Sequence, residues 1–269
     1  MAYLTGTIPT NEHFGHNMKS IELKYKRFGI NFNVSASLPE RWSELTAGQL
    51  IAIVKNHSAE ISEIELLAAF LSIKKDIVAK LTDFQRYSIA VELEFLQDFK
   101  PLYSFTIRTI KGLNAPRPRL EGMSFGQFIY VDTYHEIAVT TDDNSQLDKF
   151  IACLYLPENK QFDEKLIQDH ADFVAIFIRP EEKTAISLNY RLVKEWICKQ
   201  YPLLFQASEP ETSDLEETQS TKNKRGSDWV NVYESLVGDD IVNQDKYAEL
   251  PLHTVFRYLT TKIKENARR

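Results

Sequence analysis

Two apolar periods divide this chain, and together they limit it to a mostly α-helical fold with a small N-terminal β-hairpin. From Ile21 to Val34, apolar and polar residues alternate. Ile21, Leu23 and Tyr25 alternate with Glu22, Lys24 and Lys26; Ile30, Phe32 and Val34 alternate with Asn31 and Asn33. A period of two on both sides of Gly29 predicts a pair of half-buried strands. Two strands alone are marginal, so helices must pack on them. From Pro39 onward the period lengthens to three and four residues, the signature of amphipathic helices.

Local start and stop signals place those helices. Ser62 and Glu65 have capping-box spacing ahead of Leu66–Leu71, and Thr82 and Gln85 repeat it ahead of Tyr87–Leu96. In the second of these, Phe84, Tyr87, Val91 and Phe95 form one apolar stripe. Phe105–Ile110 alternates again and predicts a strand. Gly112–Pro118 reads as a turn and extended connector, because a proline pushes the residue before it out of the helical region. Ser145 and Asp148 mark a further start, with Leu147, Phe150, Ile151, Leu154 and Tyr155 on one face. Another helix spans Asp163 to about Ile178, before Pro180. The next, about Glu181 to Gln200, carries Ile186, Tyr190, Val193 and Ile197 on one stripe, widened by Leu192 and Trp196.

Residues 207–227 differ in kind: they are acidic, polar and almost free of large apolar side chains. Such a stretch cannot bury enough surface to offset its ordering entropy and predicts a flexible linker. Beyond it, Trp229, Tyr233, Leu236 and Val237 suit a short helix ending at Gly238. Leu252, Val255, Phe256, Leu259 and Ile263 suit a second, with Pro251 at its first turn. A tail this small forms too little core to stand alone and should dock on the body or on a partner. The organisation expected is an extended arm over 1–20, a strand pair plus helical unit over 21–118, and a helical unit over 119–206. The linker over 207–227 and the helical tail over 228–269 follow.

One pattern recurs. Leu45-Thr-Ala-Gly-Gln-Leu-Ile51 and Met123-Ser-Phe-Gly-Gln-Phe-Ile129 each follow a segment rich in Pro and Arg and precede an apolar helix. Thr46 and Ser124 are natural N-caps, with Gln49 and Gln127 placed to bond back. Two explanations fit: two helix starts using the same chemistry, or a duplication in which 119–206 repeats the first unit.

Hydrophobic residues are 43% and charged residues 26% of the chain, ordinary for a globular protein, and the net charge is -6. A broad footprint for nucleic acid is therefore not expected; the basic clusters at Lys222–Arg225 and Lys262–Arg269 are short. No stretch approaches the roughly 18 apolar residues of a membrane helix, and the N-terminus lacks a signal-peptide pattern. A cytoplasmic protein with no membrane or nucleic-acid partner is expected. Cys153 and Cys198 lie in apolar helical patterns, as small buried hydrophobes do.

The polar residues suggest no catalytic set, no metal site and no cofactor. His135-Glu136 and Asp169-His170 are isolated pairs without the spacing of a zinc helix and read as exposed helix positions. Tyr190 and Lys194 have the Tyr-x-x-x-Lys spacing of short-chain dehydrogenases. The Gly-rich nucleotide turn that chemistry requires is missing, so the spacing reads as coincidence. Asp142-Asp143 and Asp239-Asp240 read as solvated turns. Aromatic residues, in contrast, are 12% of the chain. Adhesive surfaces are rich in such residues, as cores are.

Glu121-Gly-Met-Ser-Phe-Gly-Gln-Phe-Ile-Tyr-Val-Asp-Thr-Tyr134, followed by Leu147–Pro157, resembles a segment of phage proteins in which an amphipathic helix ends in Leu-Tyr-x-Pro. Ser227–Ile241 is similar to the C-terminal pattern of the same proteins, the tail-assembly chaperones and small structural proteins of phage tail gene clusters. The resemblance covers about 121–200 and 226–269 and leaves the first 120 residues outside. It implies a helical holdase that coats apolar helical stretches of a tape-measure-type client or another tail protein, without cofactor. The contacts implied are the apolar faces around Phe125, Phe128 and Tyr130, with Trp229, Tyr233 and Phe256 of the tail. Self-association is compatible with the same faces. A permanent virion or scaffold component of a phage-like particle is the alternative.

Overall fold

The computed structural model describes residues 18–205 and 229–268. The linker expected over 207–227 lies outside the described residues, as does the arm up to residue 17; Lys19 and Ser20, placed in that arm, already belong to a strand. The strands are β1 (Lys19–Arg27), β2 (Ile30–Leu38), β3 (Thr109–Ile110), β4 (Leu113–Asn114) and β5 (Leu156–Pro157). The first helices are α1 (Ala47–His57), α2 (Glu63–Leu71), α3 (Lys75–Val78) and α4 (Asp83–Glu92). Then come α5 (Phe125–Thr141), α6 (Asn144–Leu154), α7 (Ile167–Phe177), α8 (Pro180–Gln200) and α9 (Pro202–Phe205). The last are α10 (Trp229–Val237), α11 (Gln244–Ala248) and α12 (Leu252–Asn266). The fold is mostly α.

These elements form two compact units. The smaller takes the described residues up to Glu44 together with Glu63–Asp98; the larger takes Leu45–Ser62 and the chain from Phe99 onward. In the smaller unit β1 and β2 pair antiparallel from Lys19↔Leu38 to Arg27↔Ile30. The turn residues Phe28 and Gly29 both have positive φ, 52° and 80°, as the twist of a two-residue hairpin demands. Leu23, Ala36 and Leu38 are buried at the inner end of the hairpin, along with Leu67, Phe70 and Leu71 of α2. The indole N–H of Trp42 donates to the carbonyls of Phe95 and Asp98 at 3.3 and 3.1 Å, tying the end of the hairpin segment to the end of the α4 segment.

In the larger unit α5 and α6 form a helical hairpin across Asp142 and Asp143, and α7 and α8 pack on α6. The side chains that hold it are Phe128, Val131, Phe150, Ile151, Ile186, Tyr190, Val193 and Ile197, all fully buried. The stripe expected on α8 is thus its inner face. The expected start at Ser145 moves to Asp143, whose Oδ1 accepts from the Ser145 amide at 2.8 Å. The strand expected over Phe105–Ile110 persists only at Thr109–Ile110. The reason is Asn189 of α8: its Oδ1 accepts the amides of Thr106 (2.7 Å) and Ile107 (3.2 Å), which a ladder would have used.

The recurring motif starts α1 and α5. Thr46 and Gln49 make the full reciprocal capping box. Ser124 caps α5, but the Gln127 side chain turns inward and donates to the Cys153 carbonyl at 2.8 Å. The strands that precede the two copies differ in length, nine residues before the first and two before the second.

The tail docks on α5 through backbone. Phe125 N–H, one of the donors that the first turn of a helix leaves unpaired, bonds the Leu250 carbonyl at 2.8 Å, and Leu252 N–H bonds the Met123 carbonyl at 3.0 Å. Gly126 permits this approach. A Cβ there would lie 2.9 Å from Ala248 Cβ and 3.2 Å from the Ala248 carbonyl oxygen, whereas one at Gly48 would meet nothing within 4 Å. Gly126→Ala should therefore cost about 1–3 kcal/mol and Gly48→Ala should gain about 0.5–1 kcal/mol, opposite signs that urea unfolding of the two variants would check.

Candidate protein-binding surfaces

The structure brings five of the six expected contact residues together, in the interior of the larger unit. Trp229 stacks on Phe256 with ring centroids 5.3 Å apart and meets Phe128 edge-on at 5.3 Å. Phe125 touches Trp229, Tyr233 and Phe256 at 6.2 to 6.5 Å. Phe125, Phe128 and Phe256 are wholly buried, and Trp229 and Tyr233 are half-buried. These side chains seat the tail on the body; a partner would reach the three phenylalanines only with the tail lifted.

Tyr130 stands apart. Its hydroxyl donates to Glu164 Oε2 at 2.6 Å, and that bond raises the phenol far above its ordinary range. With Tyr134, Lys149, Glu164, Lys165, Ile167 and Gln168 it lines an open depression of about 360 Å³.

Beneath the aromatic cluster lies a polar network that the sequence did not disclose. Asp132, 1% exposed, accepts from Tyr190 Oη at 2.9 Å and from Trp229 Nε1 at 2.9 Å, and pairs with Lys194 Nζ at 2.7 Å. Lys194 also pairs with Glu136 at 2.7 Å. The Tyr190 and Lys194 spacing, read as coincidence, is therefore structural: one turn of α8 apart, both reach the same carboxylate. A signal existed, since Phe128, Asp132 and His135 recur at helical steps on one face of α5.

His135 corrects a second expectation. It is buried rather than exposed, against Phe150 and Tyr190 at 4.8 Å each, with Nε2 3.0 Å from Ser187 Oγ. Its Nδ1 is buried without a hydrogen-bond partner. Burial first, and then the charge of Lys194, push the imidazole down to about 4, outweighing the opposite pull of Asp132 and Glu136. Both cysteines resist ionisation through burial, Cys153 pushed up to about 12 and Cys198 to about 11. Among the described residues no group of three or more His, Cys, Asp or Glu is placed to hold a metal ion, and no helix is long and apolar enough to cross a membrane.

An apolar surface left open to solvent belongs to the smaller unit. The stripe on α4 points to solvent: Phe84 is 77% exposed, Tyr87 68% and Val91 40%. The side of α4 turned inward carries Ile89, its one buried residue; at about 100° per residue this is roughly opposite the stripe. Beside it, the apolar face of the hairpin grows barer toward its turn. Leu23 and Ala36 are buried, Tyr25 and Phe32 stack at 5.6 Å half in water, and Ile30 and Phe28 are 61% and 89% exposed. Gln85 Nε2 donates to the Lys24 carbonyl at 3.0 Å and Lys19 pairs with Glu92 at 2.7 Å, so α4 lies along β1. The stripe was visible in the sequence; that solvent, not a core, covers it was not.

Comparison with protein-family models, with curated proteins and with solved structures finds no match to this chain.

The His135 imidazole makes stability depend on pH. The unfolded chain, with an ordinary histidine near 6.5, takes up its proton before the folded chain does. Stability is therefore full above about pH 6.5 and falls as pH drops toward 4, by roughly 2 kcal/mol between pH 7 and 5. His135→Gln should flatten that part of the curve, as measured by denaturant midpoints across the range. An unchanged slope would mean that His135 does not set it.

Proposed function

We propose that this chain is a protein-binding assembly factor of the tail-assembly chaperone kind, one that holds an apolar helical segment of a tape-measure-type client. One observation carries it: an apolar stripe of helical spacing, Phe84, Tyr87 and Val91, faces water beside the bare end of an apolar hairpin. Folded chains seldom leave such a set open unless something binds there. Covering each of these large side chains would gain about 1–2 kcal/mol, enough in sum for a reversible hold. Residues three and four apart on a helix form a ridge that fits the groove of another helix, which favours a helical client. The assembly context comes only from the resemblance read in the sequence over residues 121–200 and 226–269.

In this arrangement the aromatic cluster at Phe125, Phe128, Trp229, Tyr233 and Phe256 serves the molecule's own integrity, and the client lies on the smaller unit. The test is anisotropy of a labelled amphipathic helical peptide of about 20 residues, titrated with the full chain. The doubly substituted F84D/Y87D, on an exposed face, should keep its thermal midpoint and weaken binding at least about tenfold, or 1.4 kcal/mol. A wild-type chain that leaves the peptide free, or a variant that binds as wild type does, would reject the proposal.

A further inference from the structure

We infer that the client bound on this face is an acidic amphipathic helix, with Asp or Glu along the flanks of its apolar stripe. The inference rests on the protein-binding function proposed above and names the chemistry of the partner. It begins from charge. The chain is net negative at -6, yet residues 24–38 carry Lys24, Lys26 and Arg27 and not one Asp or Glu. All three side chains are exposed. Elsewhere in the same unit four cations are paired: Lys19 with Glu92, Arg41 with Glu44, Lys75 with Glu65 and Arg86 with Asp83. Among the described residues none of Lys24, Lys26 and Arg27 pairs with a carboxylate, although Glu22 shares the Lys24 side of β1; the Arg27 guanidinium lies over the Phe28 ring, 5.3 Å from its centre.

These charges lie on both sides of the hairpin whose first strand α4 runs along. Strand alternation puts Arg27 on the side of Tyr25, and Lys24 and Lys26 on the other, so the cations straddle the edge of the exposed hairpin. The α4 stripe lies along β1 on the same unit. A helix covering Phe84, Tyr87 and Val91 runs beside β1, where Gln85 bonds the Lys24 carbonyl, and charges there act over a Debye length of about 8–10 Å at ordinary salt. At that distance and exposure, complementary charge speeds association and selects the partner more than it deepens affinity. A basic helix with the same apolar stripe would meet unneutralised like charge and be turned away.

Two other occupants fit less well. A single-stranded nucleic acid needs ring faces and phosphate-pairing cations on one surface, whereas Lys24 and Lys26 point away from the Tyr25–Phe32 stack. An anionic bilayer would take the convex hairpin tip, but has no use for a helix-spaced stripe on α4.

Four probes separate the cases with the full-length chain. These are a peptide with an apolar stripe and Glu flanks, the same stripe with Lys flanks, vesicles of phosphatidylserine and phosphatidylcholine, and a thymidine oligonucleotide. The Glu peptide should bind at least about tenfold more tightly than the Lys peptide at low salt, with the gap closing toward about 0.5 M NaCl. The triple variant K24E/K26E/R27E, on exposed positions and checked for an unchanged thermal midpoint, should reverse the preference. Equal binding of the two peptides overturns the acidic assignment while leaving protein binding intact. If neither peptide binds, both proposals fall, and binding to vesicles or oligonucleotide alone would assign the patch to lipid or nucleic acid instead.

Discussion

The carboxylate of Asp132 is the constraint around which the larger unit is built. Taking a charge out of water costs several kcal/mol, recovered only where donors and counter-charge are well placed. Here they come from two other parts of the chain, Tyr190 and Lys194 on α8 and Trp229 at the start of the tail. The distances leave little freedom. Once α5 and α8 lie close enough for Tyr190 and Lys194 to share one oxygen of Asp132, the other oxygen faces the place where the tail enters. A tail that left would uncover that oxygen along with Phe125, Phe128 and Phe256. Its seat is therefore set by directional polar bonds as well as by burial, and the aromatic cluster closes over them.

The same docking uses the helix's own deficit. The first turn of α5 has amides without helical partners, and Phe125 gives its amide to Leu250 of the tail, while Gly126 lets the Ala248 backbone come near enough for it. His253 adds a further tie. The carbonyl of Arg119 can only accept, so Nε2 of His253 donates to it at 2.7 Å, and Nδ1 lies 2.8 Å from the Tyr201 hydroxyl. Residues far apart in sequence are thereby held at one corner.

What could be read in the sequence were the features whose physics is local. The caps at Thr46, Thr82 and Ser124, the breaks at Pro180 and Gly238, the hairpin about Gly29 and the stripe on α8 depend only on residues within a few positions of one another. Features with distant partners were hidden. Asn189 takes the amides of Thr106 and Ile107 and so ends a strand that alternation predicts. Tyr190 and Lys194 share a spacing that belongs to several chemistries, and only the fold selects Asp132 as their target. His135 sits beside Glu136 in a pattern that looks solvated until α6 and α8 close on it. Periodicity put Phe84, Tyr87, Val91 and Phe95 on one stripe; α4 ends at Glu92 and leaves Phe95 half-buried beyond it, while the first three face water, a direction that the period alone could not tell. A period marks a face, while the next element decides whether that face meets core or water, and here Ile89 is the side turned inward.

Two sets of aromatic residues, alike in composition, are thus put to different uses, and directionality explains the difference. Around Phe125 and Trp229 each apolar contact is accompanied by a bond with a fixed angle: an indole N–H on a carboxylate, a backbone amide on a carbonyl. Such a surface accepts one geometry, and its own tail supplies it. Around Phe84 and Phe28 there is bare apolar area, with exposed cations on the hairpin and exposed Asp83 and Glu92 on α4, and among the described residues no buried unpaired polar atom there. Hydrophobic attraction without angular preference accepts a partner in more than one orientation and releases it at modest cost. On the function proposed above, a factor that holds a chain and then gives it up would use a surface of the second kind, while the first kind keeps the tail in place.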